Sequence, residues 1–187
     1  HRIFSNKEYR LALKIATRFP KALQPTYMKA ILRFFSWRKC MVLSIAVISI
    51  LIVLNFYGLY TNKFYFFKFD NYIFPLFTVV HFIFLYVLWF KIKEQEYTDP
   101  QMRNLEYAMY GIFLIYMFKI MDTIYILLSY TEYQDHIMPN TFIPVGIIIF
   151  FLQFFLLFLT ILTFKHRTLM VGPYNFDNIN ENIDSWQ

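Results

Sequence analysis

Long apolar runs without charges, rather than a regular alternation of apolar and polar positions, dominate the middle of the chain. A run of about 20 apolar residues is long enough to cross the hydrocarbon core of a bilayer as a helix. Four such runs predict transmembrane helices at about residues 40–62, 71–90, 107–130 and 140–164. The pattern therefore predicts an all-α membrane protein whose four-helix transmembrane domain covers residues 40–166.

A basic arm, residues 1–39, precedes the first run, and its Lys and Arg residues far outnumber its acids. Spacings of three and four residues place five basic side chains on one helical face: Lys7, Arg10, Lys14, Arg18 and Lys21. Such an amphipathic helix is typical of segments that lie on anionic phospholipids at a membrane surface. Docking onto an acidic partner subunit is the alternative. Binding to nucleic acid is disfavoured, because a membrane span directly follows the arm.

The distribution of Lys and Arg also predicts the orientation of the spans. These residues concentrate in the arm, in the loop 91–103 and after the fourth run, whereas the opposite side has only Lys63 and Lys68. Loops rich in Lys and Arg stay on the cytoplasmic side of a membrane. We therefore expect both termini in one compartment, the cytosol or the mitochondrial matrix. The polar, acidic tail, residues 167–187, is expected to be extended.

A polar layer is predicted near the middle of the spans, where four polar residues fall at similar depth: His81, Lys119, Asp122 and Gln153. Lys119 and Asp122 are three residues apart and share a helical face. A charge inside a bilayer is costly unless it is paired or turned inward. Three interpretations fit: a neutral layer that holds the helices in register, a pair with a charge of a neighbouring subunit, and a proton or ion path.

Catalytic motifs are missing from the chain. Only one span contains a histidine, His81, so a bis-histidine haem site is not expected, and Cys40 is the one cysteine. The sequence contains neither a Gly-rich phosphate loop nor a Gly-x-Ser-x-Gly nucleophile motif. We therefore expect no catalytic, cofactor-binding or metal-binding site and no enzyme activity of the chain by itself.

The motif Lys119-Ile-Met-Asp122 in the third run, combined with four spans and cytosolic termini, resembles the lysosome-associated four-span transmembrane proteins. The resemblance covers this short motif and the topology. It does not extend to the Pro-Pro-x-Tyr elements or the N-terminal cysteine cluster of those proteins. The resemblance implies an endomembrane location as an alternative and carries no function over.

Composition favours a protein that makes large contacts, because 58% of the residues are hydrophobic and 22% are aromatic. The leading hypothesis is a structural or accessory subunit of a multi-subunit membrane complex, with other membrane subunits as partners. A presequence-like basic N-terminus, a single cysteine and the lack of an Asn-x-Ser/Thr sequence favour the mitochondrial inner membrane, in a respiratory-chain or ATP-synthase type of assembly. The alternatives are an endomembrane adaptor or small-molecule or ion transporter that uses the layer of Lys119, Asp122 and His81, and a lipid-modifying enzyme that uses His81 and Asp122.

Overall fold

The computed structural model describes residues 31–32, 34–131 and 138–174. The chain divides into two units, His1–Ser36 and Trp37–Gln187. In the first unit, the described residues include one helical turn, in which Phe35 N donates to Ile31 O at 2.8 Å. The predicted basic face of the arm lies outside the described residues and stays a prediction (Lys7, Arg10, Lys14, Arg18 and Lys21). Most of the predicted acidic tail lies outside them as well.

The described residues of the second unit form four long helices, each long and apolar enough to cross a membrane. They are α1 (Trp37–Asn55), α2 (Ile73–Glu94), α3 (Pro100–Leu128) and α4 (Phe142–Met170). Short 3₁₀ helices precede α2 at Phe69–Tyr72 and follow α3 at Ser129–Thr131. These helices confirm the prediction of a mostly helical chain with four helices long and apolar enough to span a membrane, and they are compatible with an integral multi-pass membrane protein.

The helices form an antiparallel bundle in which α1 packs against α4, α4 against α3, and α3 against α2. The fourth seam, between α1 and α2, has the least extensive contact. Small polar side chains line the close α1–α4 seam, where Cys40 Sγ lies 3.4 Å from Thr163 Oγ1 and Ser44 is fully buried. Small residues let two helix backbones approach each other closely inside a membrane. We call the two ends of the bundle the Glu94 end, where α2 and α4 end and α1 and α3 begin, and the Asn55 end, where α1 and α3 end and α2 and α4 begin.

The first helix ends at Asn55, well before the predicted boundary near residue 62. Beyond it, Tyr57–Gly58 pairs with Lys63–Phe64 in a short antiparallel hairpin, so the domain is not purely α-helical. The Asn55 side chain donates to Asn71 O at 2.5 Å and thereby ties the end of α1 to the start of α2.

Two turn residues explain why the apolar run does not continue as a helix. A Cβ atom on Gly58 would lie 2.6 Å from a ring carbon of Tyr65, so glycine is what allows this ring to pack against the hairpin. Asn62 has a φ of 52°, a left-handed conformation that asparagine tolerates better than most residues. The length of the uncharged run predicted a helix here, and local turn geometry overrode it.

At the Glu94 end the helices extend beyond the apolar runs that predicted them. Helix α3 begins at Pro100 rather than near residue 107, because Asp99 Oδ1 accepts a hydrogen bond from Met102 N at 2.6 Å and caps the helix. Proline suits the first helical position. Helix α4 continues to Met170 rather than ending near residue 164, since Arg167 is buried in the bundle and fixed there.

Candidate functional site

A buried carboxylate lies at the Glu94 end of the bundle. Glu106 of α3 is 1% exposed, and its Oε1 accepts a hydrogen bond from Arg167 Nη2 of α4 at 2.7 Å. The hydroxyl of Tyr110 donates to Oε1 at 2.7 Å, and that of Tyr174 donates to Oε2 at 2.5 Å. A buried ion pair is tolerated when such additional hydrogen bonds satisfy the carboxylate. This cluster of four side chains therefore locks α3 to α4.

The same cluster anchors the segment that follows α4. Arg167 Cζ lies 4.4 Å from the centre of the Tyr174 ring, and Arg167 Nη1 donates to Gly172 O at 3.1 Å. Burial, together with the hydrogen bond to Glu106, raises the pKa of Tyr174, so its hydroxyl keeps the proton that it donates. Thr98 Oγ1 also donates to Pro173 O at 3.0 Å. The residues just after the helix are thus held against the bundle.

A second ion-pair group joins the end of α2 to the start of α3. Lys91 Nζ lies 2.7 Å from both Glu96 Oε2 and Asp99 Oδ2. Burial by itself would raise the pKa of Asp99, but hydrogen bonds from Lys91 and from Met102 N lower the pKa below its ordinary value. The ionised Asp99 also interacts favourably with the positive end of the α3 dipole. Charged groups therefore fix the Glu94 end of the bundle.

Sequence reasoning did not pair Glu106 with Arg167, although both residues lie where an apolar run meets polar sequence. They are 61 residues apart and belong to different helices, so no periodic pattern connects them. The one feature of the sequence that could have indicated this pairing is that the two residues have opposite charges and are expected at the same edge of the membrane.

The predicted polar layer divides into two groups in the structure. His81 is fully buried, and its Nδ1 lies 3.0 Å from the hydroxyl oxygen of Tyr116. Within the described part of the chain, no hydrogen bond joins His81 to Lys119, Asp122 or Gln153. His81 thus belongs to a contact between α2 and α3 that is separate from the other three residues.

The second group lines a small cavity between the helices, nearer the Asn55 end, whose wall is partly polar and partly apolar. Thr123 Oγ1 lies 2.9 Å from Gln153 Oε1 and links α3 to α4. Lys119, Asp122 and Asn55 contribute further polar atoms to the wall of this cavity, whose volume is about 130 Å³. The cavity is large enough for a few water molecules and brings three of the four predicted residues together.

The charged pair itself is directed away from the core. Lys119 Nζ and Asp122 Oδ2 are 4.0 Å apart, and their side chains are 40% and 57% exposed. Two neighbours of Asp122 on the same helix face, Phe118 and Tyr125, are 74% and 72% exposed. The pair therefore borders the cavity on one side and the outer surface of the bundle on the other.

Among the residues that the structure describes, no group of three or more His, Cys, Asp or Glu side chains is arranged to hold a metal ion. Comparison of the chain with protein-family models, with curated proteins and with solved structures found no match. The arrangement of the side chains is therefore the basis on which a function is argued.

Proposed function

We propose that this chain is a structural subunit of a multi-subunit membrane complex, and that it contacts a neighbouring membrane subunit through the α3 face around Asp122. We call this surface the Asp122 face; it comprises Phe118, Lys119, Asp122 and Tyr125. The observation that carries the proposal is the exposure of a charged pair, 40% for Lys119 and 57% for Asp122, on a helix suited to crossing a membrane.

The position of Asp122 along the helix makes this exposure costly. With a rise of about 1.5 Å per residue, Asp122 lies about 9 Å from the end of α3 at Leu128. A long Lys119 side chain can extend towards the head-group region, whereas the short Asp122 side chain cannot. Even on the lowest scales, a charged residue at the centre of a lipid-facing helix costs about 2.5–3.5 kcal/mol, and Asp122, six residues from the end of α3, bears part of that cost.

Lys119 compensates Asp122 only in part. A separation of 4.0 Å is at the limit of an ion pair and exceeds the roughly 2.7–3.2 Å of a direct hydrogen bond. A helix of a neighbouring subunit that offers a cation or hydroxyl donors to Asp122 would remove the remaining cost. The exposed rings of Phe118 and Tyr125 beside the carboxylate favour the same use, because aromatic residues are enriched in the cores of protein interfaces.

The cellular setting that we propose is the mitochondrial inner membrane, in an assembly of the respiratory-chain or ATP-synthase type, with both termini in the matrix. The charge asymmetry of the sequence supports this orientation. The arm would bind anionic phospholipids at the matrix surface, and the chain would contribute contacts rather than catalysis.

Photo-crosslinking tests the proposed contact. A photoreactive residue at Phe118 or Tyr125, introduced into the full chain in its native membrane, should form a crosslink to one defined membrane protein. The variant Asp122→Asn should abolish that crosslink and the co-migration of the two proteins on a native gel. The matched control is Asp70→Asn, because Asp70 also pairs with a lysine, Lys68 at 3.7 Å, but lies in the 3₁₀ helix before α2 and not on the Asp122 face.

Two results would contradict a contact through the Asp122 face. One is a crosslink of unchanged yield in Asp122→Asn, which would show that the charge makes no contribution to the contact. The other is a chain that migrates by itself as a stable monomer in mild detergent, with crosslinks from Phe118 and Tyr125 to lipid alone.

A second function, transport of a small molecule or ion by an endomembrane protein, is favoured by the cavity that Lys119, Asp122 and Gln153 line. In that case Asp122→Asn should abolish transport into vesicles and leave assembly intact. The subunit proposal expects the reverse, so one variant distinguishes the two functions.

A further inference from the structure

The α1–α2 seam opens into a groove at the Glu94 end of the bundle. Its volume is about 920 Å³, near the upper end of the roughly 300–1,000 Å³ that is usual for ligand pockets. The deeper part is apolar and includes Met41, Val42 and Ile45 of α1 and Phe82 and Leu85 of α2. Helices α1 and α2 make the least extensive contact of the four seams, so the groove follows directly from the packing of the bundle.

Two cations and two tryptophans line the mouth of this groove. Arg38 lies over the Trp37 ring at 5.2 Å, and Lys93 lies over the Trp89 ring at 5.1 Å. These residues occupy the first turn of α1 and the last turns of α2, where the helices leave the apolar layer. Tryptophan and basic residues are both enriched at this level of a membrane. The mouth is therefore suited to a lipid head group.

We infer that the groove between α1 and α2 binds an anionic phospholipid. Its phosphate lies between Arg38 and Lys93, and its acyl chains lie along Val42, Ile45 and Phe82. This site is distinct from the basic face of the arm and does not depend on the proposed role as a subunit.

Charge complementarity favours a lipid over a transmembrane helix as the occupant. A hydrophobic helix would cover the apolar wall but would bring no anion to Arg38 and Lys93 at the mouth. An arginine offers paired N–H donors that match phosphate oxygens, and basic pockets between transmembrane helices bind anionic lipid head groups. Glu94 Oε1 lies 3.5 Å from Lys93 Nζ and is half exposed, so it offsets part of this charge without closing the groove.

Fluorescence quenching by brominated phospholipids tests the site, because Trp37 and Trp89 line it and serve as reporters. The starting protein is the full chain with Trp186→Phe, which removes the third tryptophan of the sequence. In phosphatidylcholine vesicles, brominated phosphatidylglycerol should quench at a lower mole fraction than brominated phosphatidylcholine. The double variant Arg38→Gln/Lys93→Gln should lose this preference. Removal of each cation should reduce the ratio of the two quenching mole fractions by about fivefold.

Two control variants separate the groove from other cations of the chain. The variant Lys63→Gln/Lys68→Gln removes exposed charges near the Asn55 end, and Lys7→Gln/Lys14→Gln/Lys21→Gln removes charge from the arm. Both should retain the preference for the anionic lipid. Because Arg38 and Lys93 are exposed, the double groove variant should also unfold at the same temperature as the starting protein.

Three results would overturn the inference. Equal quenching by the two brominated lipids would show that the groove does not select an anionic head group. Loss of the preference in the arm variant, with the groove charges intact, would assign lipid binding to the arm. Tryptophans that neither lipid quenches would show that protein, and not lipid, occupies the groove.

Discussion

Helix α3 contributes to two ion pairs, of which one is buried and the other is exposed. Glu106 and Arg167 meet at 2.7 Å with side chains that are 1% and 8% exposed, and two tyrosine hydroxyls complete the hydrogen bonding of the carboxylate. Lys119 and Asp122 are 4.0 Å apart with side chains that are 40% and 57% exposed. The first pair joins two helices of one chain, and the second lies on a single helix.

The difference follows from where each partner comes from. A pair built from two helices can be enclosed by both, whereas a pair three residues apart on one helix cannot cover itself. Enclosure makes the loss of either partner of the first pair costly, because the remaining charge would be buried and uncompensated. Exposure leaves the second pair available to a neighbouring molecule.

The largest expected effect is on the enclosed pair. Glu106→Gln should lower the free energy of unfolding by about 3–5 kcal/mol, because it leaves the buried charge of Arg167 without a counter-charge. Reversible unfolding of the purified protein in mixed micelles would measure this. The double variant Glu106→Gln/Arg167→Gln should recover part of the loss, and losses that simply add would show that the two residues are not coupled.

A smaller effect is expected for one hydrogen bond of the same cluster. Tyr174→Phe removes the hydroxyl that donates to Glu106 and keeps the ring beside Arg167, so it should cost about 1.5–3 kcal/mol in the same unfolding measurement. Tyr97→Phe is the control, since Tyr97 is 84% exposed in the loop between α2 and α3. If both variants are equally stable, the segment after α4 is not anchored by this contact.

The smallest effect is expected for the exposed pair. Asp122→Asn should not lower the free energy of unfolding of the isolated chain, because Lys119 compensates Asp122 only in part and a neutral side chain avoids the cost of a charge on a lipid-facing helix. Asp70→Asn, at an exposed ion pair, should change the free energy of unfolding by less than about 1 kcal/mol. A loss for Asp122→Asn as large as that for Glu106→Gln would mean that this charge holds the bundle together, and the contrast between the two pairs would fail.

The lengths of the apolar runs predicted much of the fold but less of the candidate site. Uncharged stretches of about 20 residues have no stable alternative to a helix inside a membrane, so the number of spans could be predicted. The prediction of a first helix to residue 62 was wrong because Gly58 and Asn62 form a turn inside an apolar stretch. His81 and Lys119 lie at similar depth in their predicted spans, so the sequence placed them in one polar layer. In the structure, Tyr116 and not Lys119 contacts His81.

The sequence by itself determined that four helices are long and apolar enough to cross a membrane, because chain length and apolarity act locally within each run. It also determined that Lys119 and Asp122 share a face, since three residues along a helix always do. Tertiary structure decided which charges are enclosed. Glu106 and Arg167 meet only because α3 and α4 pack side by side, and the groove beside Arg38 and Lys93 exists only because α1 and α2 pack loosely. Contacts between distant residues depend on how whole helices fit together, and no single stretch of sequence carries that information.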